Sequence, residues 1–131
     1  MSTIALEAVI ACSAPTAVAE ADHSARDLER WRAAQEAALA AVPGVTVLPG
    51  RAPFLLLRLP EGRGEPVRAA LRDAGIAVRR GDTFPGLDAD HLRVAVRDDD
   101  AVERLTTALG AALAGGREWE QCYPLTSGGA L

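Results

Sequence analysis

The sequence contains no lysine, and all fourteen of its basic residues are arginine. This absence excludes the phosphate-binding loop of the form GxxxxGK[ST], because the lysine of that loop reaches the phosphates. The glycine-rich stretches that are present are GRG at residues 62–64 and SGG at residues 127–129. We therefore predict that both are ordinary loops.

Cysteine and long apolar runs are also scarce. Cys12 and Cys122 lie near opposite ends of the sequence, too few and too far apart to predict a disulfide framework or a CxxC metal site. We expect reduced thiols and a cytoplasmic location. The apolar run IALEAVIACSA lacks a basic segment before it and contains Glu7, so it does not predict a signal peptide. No stretch approaches the roughly 20 apolar residues that span a bilayer, so we expect no membrane partner.

Aromatic residues make up only 4% of the sequence, so a hydrophobic core has to be built from leucine and valine. The length of 131 residues suits one domain. The net charge is −4, and no basic stripe is interleaved with aromatic residues. Nucleic acid is therefore not an expected partner.

The spacing of apolar residues changes from helical to strand-like at Pro43 and Gly44. The predicted elements, in order, are a helix at residues 2–12, a long helix at 15–42, strands at 44–50 and 53–60, a helix with Pro66 in its first turn and Gly75 as its cap, strands at 75–79 and 91–97, and a helix from residues 98–100 to Gly115. Short links between strands favour antiparallel pairing. The predicted fold class is α+β: a small mixed or antiparallel sheet of three or four strands, covered by helices on one face and preceded by a long N-terminal helix. We assign residues 1–114 to this domain and residues 115–131 to a partly flexible tail.

The polar residues do not assemble a self-sufficient active site. The acidic residues 98–100 are predicted to cap the last helix rather than to bind a metal. His23 and His91 have no Cys or other His nearby at ligand spacing, so no metal site is expected. Four hydroxyl residues considered as nucleophiles fit no nucleophile-elbow pattern: Ser13, Ser24, Thr83 and Ser127.

The stretch HLRVAVR at residues 91–97 raises a question about Arg93. Alternation places Leu92, Val94 and Val96 on one face of a strand and Arg93 on the other. One interpretation is a solvated strand face, since arginine is rarely buried without a partner. The other is an anion site, because a planar guanidinium matches a carboxylate or phosphate in two-point geometry.

Residues 75–97, GIAVRRGDTFPGLDADHLRVAVR, resemble a known family pattern. The family is the C-terminal small domain of fold-type I, pyridoxal-phosphate-dependent aminotransferases, in the branch of the histidinol-phosphate aminotransferases. Within that branch, VRRGDTFPGL followed by HLRVAVR is most similar to the threonine-phosphate decarboxylases of cobalamin biosynthesis. The order of the other elements extends the resemblance over residues 4–113.

The resemblance implies roles for two arginines. In this family, two arginines of the small domain bind the anionic groups of an amino-acid phosphate substrate, and by position they are Arg79 and Arg93. Arg80 is expected to point to the opposite face. Asp82 and Thr83 are expected to shape the loop rather than to contact the substrate.

The chain departs from the family in its lack of lysine. The resemblance implies that the complete enzyme carries pyridoxal phosphate on a lysine of a large domain, whereas this chain alone would hold no cofactor and would be inactive. Because Met1 aligns near the point where the family leaves its large domain, we expect a detached or truncated small domain whose partner is that large domain. Exposed apolar faces predict a homo-oligomer with contacts at residues 2–12 and 15–42.

A second interpretation belongs to another class of protein. Residues 53–114 have the order strand, helix, strand, strand, helix, which is most of a ferredoxin-like unit. The alternative function is therefore a free-standing binding or regulatory module.

Overall fold

The computed structural model describes residues 2–115, in an order of four helices and four strands. The elements are α1 (Thr3–Cys12), α2 (Pro15–Ala40), β1 (Thr46–Leu48), β2 (Phe54–Arg58), α3 (Gly64–Asp73), β3 (Arg79–Arg80), β4 (His91–Ala95) and α4 (Asp99–Gly115). The predicted tail lies outside the described residues from residue 116 onward, as does Cys122.

The four strands form one antiparallel sheet in the order β1-β2-β4-β3. The predicted α+β class, with a small sheet and a long helix before it, is confirmed. β2 and β3 are joined through α3 and have β4 between them, which is the split βαβ arrangement of ferredoxin-like units. β1 completes the sheet on the other side of β2. This topology is shared by many functions, so it does not identify one.

The hydrophobic core lies between one face of the sheet and the helices α2, α3 and α4. Leu55 and Leu57 of β2 and Leu92 and Val94 of β4 are each at most 3% exposed. Their helical partners in the same cluster include Leu39, Val67, Leu71, Leu105 and Leu109. The core therefore consists of leucine and valine, as the low aromatic content predicts.

Helix α1 takes no part in this core. Its N-cap is Ser2, whose Oγ accepts a hydrogen bond from the Ala5 amide at 3.3 Å. None of its residues is buried, and Ile4 is 83% exposed. Within the described residues no single helix is long and apolar enough to cross a membrane, although α1 and α2, bent by 65° to each other, meet the length and composition criteria as a pair.

The strand predicted at residues 75–79 is shorter and lies later, because β3 contains only Arg79 and Arg80. Gly75 has φ of +75°, its amide donates to Arg72 O, and the Ile76 amide donates to Leu71 O at 2.8 Å. This pair of bonds ends α3 in a Schellman motif. The first residues after α3 therefore cap the helix and are unavailable for the sheet, while Ile76 and Val78 still pack on the core.

Candidate functional site

The sheet has a second face, opposite the core, and it carries several cationic side chains. Leu92 and Val94 point into the core, so Arg93 between them points to the opposite face. Cross-strand partners share a face, which identifies the other members from the strand register. We define the open sheet face by Phe54, Leu56, Arg58, Arg79, His91 and Arg93.

The two arginines predicted as substrate ligands are direct cross-strand neighbours. Arg79 of β3 stands opposite Arg93 of β4. Within residues 2–115, neither guanidinium has a carboxylate oxygen within 4.0 Å. Like charges directly opposite each other destabilise a sheet. An anion bound between the two guanidinium groups would relieve that repulsion and accept charge-assisted hydrogen bonds from both.

Arg93 also contacts two aromatic rings. Its Cζ lies over the Phe54 ring, 4.8 Å from the centroid, and over the Phe84 ring, 5.5 Å from the centroid. Phe54 is opposite Ala95 and is therefore the diagonal neighbour of Arg93 on the same face. Phe84 reaches the face from the loop after β3. Both distances lie within the range of cation–π attraction.

Arg80, which is expected to point to the opposite face, is bonded to its own loop. It stands opposite Leu92, so it belongs to the other side of the strand. Its Nε and Nη2 donate to the two carboxylate oxygens of Asp82, each at 2.9 Å. Thr83 Oγ1 donates to Arg80 O at 3.4 Å. Asp82 and Thr83 thus make contacts within the loop. The Asp82 carboxylate pairs with Arg80, and among residues 2–115 Arg79 and Arg93 have no carboxylate oxygen within 4.0 Å.

Close packing fixes β3 against β4 beside the arginines. The Gly81 amide donates to His91 O at 2.6 Å. A Cβ at Gly81 would lie 2.5 Å from His91 Cβ, closer than side chains approach in proteins. Only glycine allows this contact, which holds Arg79 in register with Arg93.

The end of the same loop is tied to β4 by a carboxylate. Asp88 Oδ1 lies 2.6 Å from His91 Nδ1 and accepts a hydrogen bond from the Asp90 amide at 3.0 Å. The hydrogen bond with His91 lowers the pKa of Asp88 below the ordinary aspartate value. Asp90 accepts from the amides of Gly62 and Gly64, both at 2.8 Å, at the start of α3. These bonds connect the loop that carries Phe84 to the sheet and to α3.

A buried glutamine fixes the other end of β4. Gln35 of α2 is fully buried, its Nε2 donates to Ala95 O at 3.0 Å, and its Oε1 accepts from the Arg97 amide at 2.9 Å. These bonds satisfy backbone groups just past Arg93, where the ladder with β2 stops. Gln35 thereby orients the strand that carries the candidate ligand.

Sequence reasoning missed Phe54, Phe84 and Gln35. Phe54 opens the apolar run FLLLR, yet it lies on the open sheet face and is 36% exposed. The usable signal was that Phe54 and Phe84 are the only two phenylalanines, and Phe84 stands in a loop that otherwise lacks large apolar residues except Leu87. Gln35 had no signal beyond its helical spacing from Leu39.

Arg79 is exposed and Arg93 is half-buried. Among residues 2–115, hollows of about 310 and about 530 Å³ lie beside other residues, one beside Gln35, Arg97 and Arg104 and the other beside Arg32. Neither is lined by Arg79 or Arg93. Within residues 2–115, no group of three or more His, Cys, Asp or Glu side chains is arranged to bind a metal ion. A ligand on Arg79 and Arg93 would need a second surface to enclose it.

The chain does not fit a covalently held pyridoxal phosphate. The Schiff base of that cofactor requires a lysine amine, and the sequence has none. The chain therefore cannot supply the lysine of that Schiff base.

Comparisons with known proteins identify relatives of this chain. No protein-family model matches it. It is 48% identical over 99 residues to a histidinol-phosphate aminotransferase of Mycobacterium tuberculosis, a match that covers 76% of this chain and 26% of the relative. It is 41% identical over 78 residues to the threonine-phosphate decarboxylase of Salmonella typhimurium, covering 60% of this chain and 21% of that enzyme.

Solved structures agree with these relatives. The L-threonine-O-3-phosphate decarboxylase from Porphyromonas gingivalis matches with a TM-score of 0.64 and 27% identity, over 68% of this chain and 28% of that one. A decarboxylase from Sulfurospirillum multivorans matches with a TM-score of 0.76 over 86% of this chain and 32% of that one; at 22% identity this likeness shows the fold alone.

The chain spans about a quarter of the length of the curated relatives it matches. The predicted resemblance to the histidinol-phosphate aminotransferase branch is confirmed for this part of the relatives' length. The chain is a homologue of the histidinol-phosphate aminotransferases and threonine-phosphate decarboxylases, and it corresponds to a partial domain of these larger enzymes.

Proposed function

We propose that this chain works as the C-terminal small domain of a pyridoxal-phosphate-dependent enzyme, in which Arg79 and Arg93 bind the anionic groups of an amino-acid phosphate. The observation that carries the proposal is the direct pairing of Arg79 with Arg93 on one sheet face, with no acidic partner among residues 2–115. Two unpaired cations side by side are costly for folding alone. A substrate with a carboxylate and a phosphate would supply the two missing anions.

A large domain completes the site in this proposal. It would supply the lysine, the cofactor site and the second surface that the open sheet face lacks, on the same polypeptide or on a separate one. The cofactor, when bound there, supplies the electron sink for bond cleavage at the substrate Cα. The small domain would orient that carbon by holding the anionic groups, a contribution that depends on geometry.

The names of the relatives support a phosphate-ester substrate, because histidinol phosphate and threonine phosphate are both phosphate esters. Of the two compounds, threonine phosphate also carries a carboxylate. The likeness of residues 75–97 to the threonine-phosphate decarboxylases favours threonine phosphate and a place in cobalamin biosynthesis. The proposal includes the cytoplasmic location expected from the sequence. It also includes a homo-oligomer, for which the exposed apolar side chains of α1 are the support.

Complementation tests this function. The 131-residue chain is mixed with the separately expressed large domain of the Mycobacterium tuberculosis relative, and aminotransferase and decarboxylase activities are measured. We expect activity only in the mixture. Arg79→Gln and Arg93→Gln should each reduce kcat/KM by about ten- to hundredfold, the effect of losing a hydrogen bond between charged groups. Arg72→Gln, an exposed arginine of α3, is the matched control and should leave kcat/KM unchanged.

Two results would count against the proposal. One is a mixture that stays inactive while the chain binds O-phospho-L-threonine no better than inorganic sulfate, which would favour the free-standing module. The other is an active mixture in which the Arg79 and Arg93 variants behave like the Arg72 control.

A further inference from the structure

We infer that Phe54 and Phe84 are positioning residues, which hold the Arg93 guanidinium in a fixed plane before an anion arrives. The inference rests on the proposed function and extends it to two residues that no sequence pattern pointed to. The carrying observation is the position of Arg93 Cζ over both rings, at 4.8 and 5.5 Å from their centroids.

The exposure of the two rings argues for this role. Phe54 is 36% exposed and Phe84 is 43% exposed, and neither belongs to the core cluster. Their burial against the core therefore does not explain their placement. They come from two different segments, a strand and a loop, and both contact Arg93.

The geometry suits a guanidinium that must remain available for binding. A ring that covers the face of a guanidinium uses its π cloud and leaves the N–H groups at the edge free. An acidic partner would hold Arg93 equally well, but it would occupy those N–H groups and compete with the ligand. Among residues 2–115, Arg93 has the rings and no carboxylate.

The rings also offset the cost of the neighbouring charge. Arg79 stands directly opposite Arg93, and without a compensating contact the two cations would push each other out of position. The negative ring faces of Phe54 and Phe84 stabilise Arg93 where it is. Arg93 is thus ordered in the free protein, and the entropic cost of fixing a long side chain on binding is reduced.

The loop that carries Phe84 is itself well anchored. The Phe84 amide donates to Gly81 O at 2.9 Å, and Phe84 O accepts from the Leu87 amide at 3.2 Å. Asp88, at the end of the same loop, is bonded to His91 of β4. The ring therefore approaches Arg93 from a backbone fixed on both sides.

The test is an NMR measurement on the 131-residue chain, combined with titration of O-phospho-L-threonine and of inorganic phosphate. The Nε–H signal of Arg93 is assigned by its disappearance in Arg93→Gln. We expect this signal to be shifted upfield by the ring currents in the free protein. Phe54→Leu and Phe84→Leu keep an apolar side chain without a π face, so each should move the signal toward the other arginines and weaken O-phospho-L-threonine binding about two- to tenfold.

Two controls separate positioning from general stability. Phe84→Tyr and Phe54→Tyr retain an aromatic face and should keep both the shift and the affinity. Trp31→Leu removes an exposed aromatic residue of α2 and should change neither. The melting temperatures of all variants are compared, so that a loss of affinity by an unfolded variant is recognised.

The outcomes distinguish this inference from the proposed function. An Arg93 Nε–H signal among the ordinary arginine signals in the unaltered chain would overturn the inference whatever the affinity. So would full affinity in the double variant Phe54→Leu, Phe84→Leu, while Arg93→Gln loses binding; the proposed function would then stand. If Arg93→Gln binds O-phospho-L-threonine as tightly as the unaltered chain does, Arg93 is not a ligand and the proposed function fails. The inference then fails because Arg93 does not bind the anion, whatever the position of its Nε–H signal.

Discussion

Gln35 shows how one buried polar residue can decide the geometry of a site that it does not touch. It bonds Ala95 O and the Arg97 amide at the end of β4, two and four residues after Arg93. Both backbone groups would lose their partner if the amide were removed. The side chain therefore links the position of α2 to the strand that carries the candidate ligand.

We predict that Gln35→Ala lowers the free energy of unfolding by about 2 to 4 kcal/mol, because it leaves backbone groups unsatisfied and opens a cavity. Urea denaturation measures the change. Glu29→Ala, at an exposed position of the same helix, should change the free energy of unfolding by less than about 0.5 kcal/mol. Equal effects of the two substitutions would mean that the Gln35 bonds contribute nothing to stability.

Gly81 and Gly110 form a matched pair for a second prediction. An alanine Cβ at position 81 would collide with His91 Cβ at 2.5 Å, whereas at position 110, inside α4, it would meet nothing within 4 Å. Gly81→Ala should destabilise the fold by about 1 to 3 kcal/mol through overpacking. Gly110→Ala should stabilise it by about 0.5 to 1 kcal/mol through helix propensity. Thermal unfolding measures the change in stability for each variant. A Gly81→Ala protein as stable as the unaltered chain would contradict the close packing of β3 on β4.

The Asp88 carboxylate gives a prediction about pH. Its pKa is lowered in the folded protein by the hydrogen bond with His91. A carboxyl whose folded pKa is depressed stabilises the fold above its ordinary pKa, and this stabilisation is lost as pH falls through the folded value. We expect the unfolding free energy of the unaltered protein to fall more steeply below about pH 4 than that of Asp88→Asn. Parallel curves for the two proteins would show that the bond does not stabilise the fold.

At the scale of elements, the sequence predicted what local signals control. Pro15 sits in the first turn of α2, and Pro43 and Gly44 follow its end, so both boundaries were found within two residues. Asp98 Oδ1 accepts from the Ala101 amide at 3.1 Å, which is the predicted capping of α4. These signals act over three or four residues and need no knowledge of the rest of the chain.

Strand register and loop contacts could not be predicted from such local signals. β3 is confined to Arg79 and Arg80 because the preceding residues end α3, a competition between two uses of the same backbone. Alternation gave the face of Arg93, but the position of Arg79 directly opposite depends on the length and packing of the loop between β3 and β4. The approach of Phe84 to Arg93 depends on the same loop and had no periodic signal.

At the scale of the whole molecule, two surfaces among residues 2–115 lie outside the hydrophobic core and are open to a partner. One is the open sheet face with its arginines, and the other is α1, which buries none of its residues. Ile4, Val9 and Ile10 of α1 are 83%, 57% and 57% exposed. Apolar side chains this exposed favour association, since their burial releases about 25 cal/mol per Å².

This surface leads to the prediction of an oligomer. Sedimentation equilibrium of the 131-residue chain should give a mass above the 13.7 kDa of one chain. The double variant Ile4→Glu, Ile10→Glu should sediment as a monomer, because two charges would have to be buried in the contact. Its control, Thr107→Glu with Ala111→Glu, adds the same charge on the exposed side of α4 and should keep the higher mass.

Because α1 contributes nothing to the core, the unfolding free energy of the monomeric variant should match that of the unaltered chain, when both values are extrapolated to low protein concentration. If the unaltered chain and the variant Ile4→Glu, Ile10→Glu are both monomers, α1 does not mediate self-association. The oligomer is then removed from the proposed function, and the large domain is left as the partner for α1.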